Sequence, residues 1–477
     1  MEPFVGRAAE LAELQSELDL VRRSGRARFV WMRGRRRVGK SRLAQELCDR
    51  SGAPYCFYQA PRRPRPDAIA DFVEALRESS LAAADSVEGA SYSSWPAALR
   101  AAVAGLVPSD PAIVVIDELP YLTELDAGFA ADLQKAWDRT LEEAPVLLVC
   151  VGSDVRMMET LVGERSPLHG RPTREMRIAP LSPAAVADIT EASDAVEAID
   201  RYLVVGGFPL LAASWPRAAG LREFLEDALR DDQTPFATTA LRIVASEFER
   251  ELQARKVVEA IGHGEAAYSR IQSRSGAKGN TLTAALSVLV GTKQMVRREL
   301  PYAVPSSKTA AKYIVADPYL RFWLRFVGPH IDELSRGRPD LVIERIMRGW
   351  SAFRGRAVEP LVREGLERLL ADASLSERLG GARHVGSWWR RDHAIEVDLV
   401  GGDAPAPTSI GFVGSVKWRE NEPFSRRDLS DLARSRAVVP GAELAKLVVV
   451  SRARVDDDVT VDATFGPDEL LAAWWTR

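Results

Sequence analysis

Gly34-Arg35-Arg36-Arg37-Val38-Gly39-Lys40-Ser41 sits directly after an apolar run, residues 27–34 (ARFVWMRG), and directly before a helical stretch that starts near Lys40. It fits G-x-x-x-x-G-K-[ST] in the strand–loop–helix context that gives the pattern its chemistry. The glycines let the backbone close around a phosphate with successive N–H groups turned inward. The helix that follows aims the positive end of its dipole at the same anion. On this reading Gly34, Arg35, Arg36, Arg37, Val38, Gly39 and Arg42 surround the phosphates. Lys40 supplies a point charge to the β- and γ-phosphates, and the Ser41 hydroxyl holds Mg2+.

Outward from the loop, strands and helices alternate over the first 180 or so residues. Residues 54–60 (PYCFYQA), 112–118 (AIVVIDE), 146–153 (VLLVCVGS) and 174–181 (REMRIAPL) are the further strand candidates. Near-continuous Val/Ile/Leu runs predict strands buried on both faces, hence a doubly wound parallel sheet in an α/β fold. The third strand ends in Asp117-Glu118. Asp117 is placed to bind the Mg2+ shell through water, and Glu118 to polarise an attacking water. Two adjacent acids point to hydrolysis. No Asn-Lys-x-Asp guanine motif is present, which favours ATP over GTP.

The whole chain has 477 residues, with 64 Lys+Arg against 67 Asp+Glu, a net charge of −3. At 46% hydrophobic and 27% charged it is an ordinary globular composition. Collagen-like, disordered and disulfide-stapled classes are excluded. Three separated cysteines, none in a CxxC pair, suit a reducing cytoplasm and give no zinc site. The N-terminal residues do not read as a signal peptide, and the longest apolar runs are far short of the ~20 residues that span a bilayer. The expectation is a cytoplasmic protein with no membrane contact. The neutrality is uneven, however. Between Arg270 and Lys312 eight basic side chains (Arg270, Arg274, Lys278, Lys293, Arg297, Arg298, Lys308, Lys312) meet one acid, Glu299.

Phe4-Val5-Gly6-Arg7 with Glu10 and Leu11, then GRRRVGKS, then IDELPYL, resembles the prokaryotic archaeal-type ATPase family, an AAA-like, STAND-related group of P-loop NTPases. The resemblance implies that Val5, Gly6 and Arg7 lie beside the adenine and that Ser153 is a polar sensor near the γ-phosphate. Ser166-Pro167-Leu168-His169-Gly170-Arg171 resembles the family's SPLYGR stretch, which makes Arg171 a phosphate sensor or a finger acting in trans. Gly206-Gly207-Phe208-Pro209 resembles the GG-x-P of a helical lid, with Pro209 near the nucleotide. The domains expected are a P-loop core (1–181), a helical lid (182–246), a winged helix (247–335) and a nuclease-like domain (336–477).

In the middle, residues 266–275 and 279–290 read as helix–turn–helix, with Asn280 or Thr281 capping the second helix. Two strand-like pieces near 295–300 and 311–316 fit a wing. The basic span is the surface expected to meet DNA phosphates. The second helix is mostly apolar and small, which favours packing over base reading.

The C-terminal order, with Glu359 on a helix, then Glu396-Val397-Asp398 and Ser415-Val416-Lys417-Trp418, resembles domain of unknown function 234, which looks like a PD-(D/E)XK restriction-endonuclease fold. Such chemistry needs an acid two residues before the lysine, on the same strand face. Here that residue is Ser415. Asp398 and Glu359 remain as candidate metal ligands beside Lys417, and the expectation is a degenerate nuclease. The leading reading is an ATP-hydrolysing switch that repositions the C-terminal half. The alternatives are an ATP-switched scaffold with an oligomer or protein partner and no nucleic-acid step, and an active ATP-gated nuclease in defence.

Overall fold

The computed structural model describes residues 4–248, 251–264, 266–302, 311–390 and 395–475. The chain forms two compact units, Met1–Leu181 and Ser182–Arg477.

The first unit is built on five strands, β1 (Arg28–Arg33), β2 (Tyr55–Gln59), β3 (Ala112–Asp117), β4 (Val146–Gly152) and β5 (Arg174–Arg177). They run parallel in the order β2-β3-β4-β1-β5. β3 and β4 are buried at every position, which explains their unbroken apolar runs. Alternate residues feed two cores. Phe29, Trp31, Val114, Ile116, Leu148 and Cys150 face one helical layer. Val30, Met32, Ile113, Val115, Leu147 and Val149 face the other, where the helices Ala8–Ser24 and Lys40–Ser51 pack. All three cysteines are buried in these layers as free thiols, and desolvation pushes Cys48 and Cys56 up to about 12.

The second unit opens with five helices, Pro183–Thr190, Ala195–Val205, Pro209–Ala213, Leu221–Ala228 and Pro235–Glu247. Gly206 ends the second of them at φ +59, and a Cβ there would lie 3.0 Å from the Tyr319 amide nitrogen, so only glycine fits. The helices Leu252–Gly262, Tyr268–Ser275 and Gly279–Ser287 follow, then a two-stranded antiparallel ribbon of β6 (Val296–Glu299) and β7 (Lys312–Val315). The helix expected to be capped by Asn280 or Thr281 instead starts at Gly279, with Lys278 at its N-cap and no side-chain cap. Tyr319, Phe322, Trp323 and Phe326 are buried on the helix Pro318–Phe326, and the rings of Trp350 and Phe353, stacked on each other, meet this cluster edge to face.

The helices Pro339–Ala357 and Glu359–Leu369 lead into a mixed sheet of β8 (His384–Trp389), β9 (Glu396–Gly402), β10 (Ile410–Lys417), β11 (Lys446–Ser451) and β12 (Ala463–Phe465). Its order is β12-β11-β10-β9-β8, antiparallel from β8 to β10 and parallel from β10 to β12. β12 is short enough to escape a hydrophobic-pattern search.

One charge cluster ties the early helices of this unit to its late ones. Arg354, 2% exposed, donates through Nη1 to Asp200 Oδ2 at 2.9 Å, and Arg452 Nη2 stands 3.6 Å from the same oxygen. Arginine cannot shed its charge, so removing the carboxylate leaves a buried cation without its closest partner. Asp200→Ala is expected to lower the unfolding free energy of the second unit by about 3–5 kcal/mol, read from urea titration. Asp200→Asn, which keeps an acceptor, costs less.

Candidate functional site

β1 ends at Arg33 and hands the chain to the phosphate loop. A Cβ on Gly34 would fall 2.4 Å from the Ile178 carbonyl oxygen, since Ile178 donates its N–H to the Arg33 carbonyl at 2.8 Å just past β5. The first glycine of the motif is therefore fixed by strand packing. Arg37 at φ +67 and Gly39 at φ +93 turn the loop into the helix Lys40–Ser51, with Gly39 at its N-cap. Val38 buries its side chain in the core and leaves only its backbone to the loop. Lys40 is 6% exposed, and its Nζ donates to the Arg35 carbonyl at 2.8 Å. Burial pushes its pKa down to about 8, against the pull of Glu118 and Asp117. Arg36 is exposed and donates to the Tyr121 hydroxyl at 3.2 Å.

β4 lies between β1 and β3, so the end of β4 is the neighbour of both the loop and the acids. Asp117 is 1% exposed. Its Oδ1 accepts the Glu118 N–H at 2.9 Å, while Oδ2 is buried with no hydrogen-bond partner among the described residues. Desolvation raises its pKa, with Ser41 and the Glu118 amide pulling the other way. A buried carboxylate oxygen without a partner, beside a serine hydroxyl, is a donor set that fits a hard divalent cation such as Mg2+. Glu118 adopts φ +52, an uncommon conformation for a side-chain-bearing residue. Ser153, one residue past β4, donates its hydroxyl to Glu118 Oε2 at 2.8 Å. The resemblance implies a polar sensor at Ser153 and gives it no partner. Its bond to Glu118 follows from the strand order, which no local pattern encodes.

Other expected residues are placed differently. Arg7 is 5% exposed and spends its guanidinium on the Val38 and Ala179 carbonyls, at 3.0 and 2.6 Å, and on Glu10 at 2.7 Å. Its guanidinium tethers the loop from behind. Val5 and Gly6 flank it, half-buried, with Gly6 at φ +82. Arg42 points along its own helix to Glu46 at 2.7 Å and lies 5.8 Å from the Phe4 ring centre, so it is a surface helix pair. Arg171 is held by Asp138 at 3.3 and 3.1 Å and by the His169 carbonyl at 2.9 Å. All three of its nitrogens have partners, and a sensor or finger role would first have to break that set. Pro209 is the first residue of the helix Pro209–Ala213 in the second unit.

Residues 4–206 match the model of an ATPase domain predominantly from Archaea, and residues 323–430 match one built on archaeal and bacterial proteins of unknown function. The chain carries an archaeal-type ATPase domain followed by domain of unknown function 234. An uncharacterized protein of Methanocaldococcus jannaschii is 24% identical over 420 residues, covering 87% of this chain and 88% of that protein. Among solved structures, a Walker-type ATPase of Pyrococcus abyssi is 16% identical over 68% of this chain and 96% of its own, with a TM-score of 0.46. The ORC2 protein of Aeropyrum pernix, in ADPNP–ADP complexes, is 16% identical over 73% and 98%, with a TM-score of 0.47. No helix of the described residues is long and apolar enough to cross a membrane.

In the part of the chain after the ATPase domain, the basic span is less open than its composition suggests. Arg270 and Arg274 lie one turn apart and exposed on the helix Tyr268–Ser275, with Lys278 exposed after it, and Arg297 and Arg298 are exposed on β6. Lys293 is taken by Glu247 and Glu251, at 3.4 and 3.6 Å. Lys312 is taken by Glu396 at 2.8 Å. Lys308 lies outside the described residues. The helix Gly279–Ser287 buries Leu282, Ala285 and Leu286 and shows Asn280, Thr281 and Thr283 outward.

The candidate nuclease residues are also rearranged. Asp398 Oδ2 accepts the Ser415 hydroxyl at 3.1 Å and the Val416 N–H at 2.8 Å. Lys417 does not complete this pair; its Nζ stands 3.8 Å from Asp428, which is already gripped by Arg419. Glu359 Oε2 lies 3.7 Å from Arg363. Burial and the Asp398 charge push Glu359 up to about 7, against Arg363 and Lys312. Among the described residues no group of three or more His, Cys, Asp or Glu is disposed to hold a metal ion. Asp398 and Glu359 are thus both engaged by protein partners, the first by Ser415 and the Val416 amide and the second by Arg363.

Gly34→Ala forces a methyl against the Ile178 carbonyl. The expected result is a loss of about 1–3 kcal/mol in the stability of the ATPase domain together with loss of nucleotide binding, measured by thermal melts with and without ATP.

Proposed function

We propose that this chain is an ATP-hydrolysing switch whose nucleotide state biases the second unit, and that its output is not metal-dependent nucleic-acid cleavage. The observation that carries the hydrolytic reading is the Glu118 carboxylate, held by the Ser153 hydroxyl next to Asp117 and within the field of Lys40. A carboxylate anchored through one oxygen keeps the other for a water molecule. Glu118 takes the proton of that water as its oxygen attacks the terminal phosphorus, and ADP leaves with the bond electrons. Lys40 and the loop amides hold the phosphates against the charge that develops. Mg2+, when bound through Ser41 and the Asp117 side, neutralises phosphate charge. Val5, Gly6 and the loop backbone are the remaining nucleotide contacts in this reading.

Glu118→Gln is expected to keep ATP binding and lose at least 100-fold in turnover, in a phosphate-release assay alongside a binding titration. Normal turnover in that variant would remove Glu118 as the base. Lys40→Ala is expected to abolish binding.

The buried lysine gives a pH signature. Free Lys40, at about 8, loses its proton as pH rises through that value, and phosphate contact favours the charged form. Nucleotide binding at pH 8.5–9 should therefore take up a proton, and affinity should fall above pH 8. Calorimetry in buffers of different ionisation enthalpy reads the uptake directly; zero uptake at pH 9 contradicts it.

A second reading adds DNA as a partner, favoured by the exposed Arg270, Arg274 and Lys278 on one helix and its following turn. Duplex binding that weakens steeply with salt and is lost on charge removal at these three positions supports it. Binding absent at low salt leaves a protein partner as the target.

A further inference from the structure

Glu299 and Lys312 face each other across the β6–β7 ribbon, yet each turns away to an opposite charge on the C-terminal part of the chain. Glu299 accepts from Arg363 Nη2 through both carboxylate oxygens, each at 3.2 Å. Lys312 Nζ is 2.8 Å from Glu396 on β9 and 4.5 Å from the Trp389 ring centre, at the end of β8. A directly opposed Glu–Lys pair at the end of a ribbon is worth a few tenths of a kcal/mol to about 1. Here both members are diverted into contacts in which Lys312 is 17% and Arg363 10% exposed, where screening by water is weaker.

The chain leaving β6 continues the attachment. Tyr302 donates its N–H to the Ser387 carbonyl at 2.8 Å, and its ring lies over Gly386, where a Cβ would be 2.8 Å from the Tyr302 side chain. Its hydroxyl donates to the Ala404 carbonyl. Arg363 is the hinge of the arrangement: Nη1 reaches the Asp398 carbonyl at 3.5 Å and Glu359 at 3.7 Å while Nη2 holds the ribbon. The guanidinium thus lies beside the Glu359 carboxylate and against the Asp398 backbone, while the Asp398 carboxylate is held by Ser415 and the Val416 amide.

We propose that the ribbon is a charge lock on the C-terminal sheet, in which Lys312 and Arg363 occupy the cation position beside Glu359 and Asp398 and close that face to divalent metal while the ribbon is docked. The lock does not depend on the nucleotide reading, since all its members lie in the second unit. Ser415 fits the same logic. With a hydroxyl in place of the acid, the Asp398 carboxylate is satisfied by neutral donors and two protein cations suffice for the cluster.

Hydrogen–deuterium exchange on the full chain tests the docking. Lys312→Gln and Glu396→Gln are each expected to speed exchange of the β6 and β7 amides at least tenfold, and the double variant to add little to either single one. Lys312→Arg is expected to keep the protection. Unchanged exchange in both Gln variants, or purely additive effects, would overturn the lock. Metal access is tested with Mn2+ by electron paramagnetic resonance, in an Asp117→Asn background that silences the nucleotide site. Ser415→Asp alone should bind Mn2+ at least tenfold more weakly than Ser415→Asp with Lys312→Gln. Equal affinity in the two, or no Mn2+ in the second, would overturn the claim that the ribbon's lysine holds the cation's place.

Discussion

Lys40 is charged in a place that penalises charge. Burial draws its pKa down to about 8 even with the nearby Glu118 and Asp117 holding it up. Burial also raises Asp117, so Lys40 and Asp117 sustain one another's ionisation. That mutual support requires the loop after β1 and the end of β3 to meet without touching directly, and β4 inserted between them sets the spacing. Ser153 at the end of β4 then holds Glu118, and Arg7 holds the loop from the opposite side through the Val38 carbonyl. The neighbouring hydrogen bonds, the positive φ at Glu118 and the Gly34–Ile178 approach are means of keeping this small group of charges in one geometry.

The second unit solves a similar problem with different parts. Its buried arginines, Arg354 and Arg363, each take carboxylates from separate stretches of sequence. Asp200 comes from an early helix and Glu299 from the ribbon, so helices, ribbon and sheet are stapled by ion pairs as well as by the aromatic cluster around Phe322. Buried pairs of this kind add little net stability compared with apolar packing, but they are strongly specific about which elements meet.

What could be read without coordinates was local and strong: the five strands of the ATPase domain, the phosphate loop and the acids after β3. Each of these announces itself in a few consecutive residues. The three-residue β12 of the C-terminal sheet carries no such run. Side-chain partners were not legible in the same way. Arg42 follows the rule for helix pairs four residues apart, and Arg171 and Arg7 meet partners set by the tertiary fold. Charge counting overstated the basic surface because two of the lysines counted, Lys293 and Lys312, were already paired with acids outside the counted span.

The three thiols of the ATPase domain are enclosed in its cores, and burial holds each of them in its unreactive protonated form. The native surface is therefore blank to maleimides. A cysteine introduced at one exposed position in each unit gives a pair of dye attachment points against no background. The separation of the two units can then be followed in real time by energy transfer as nucleotide is added and spent.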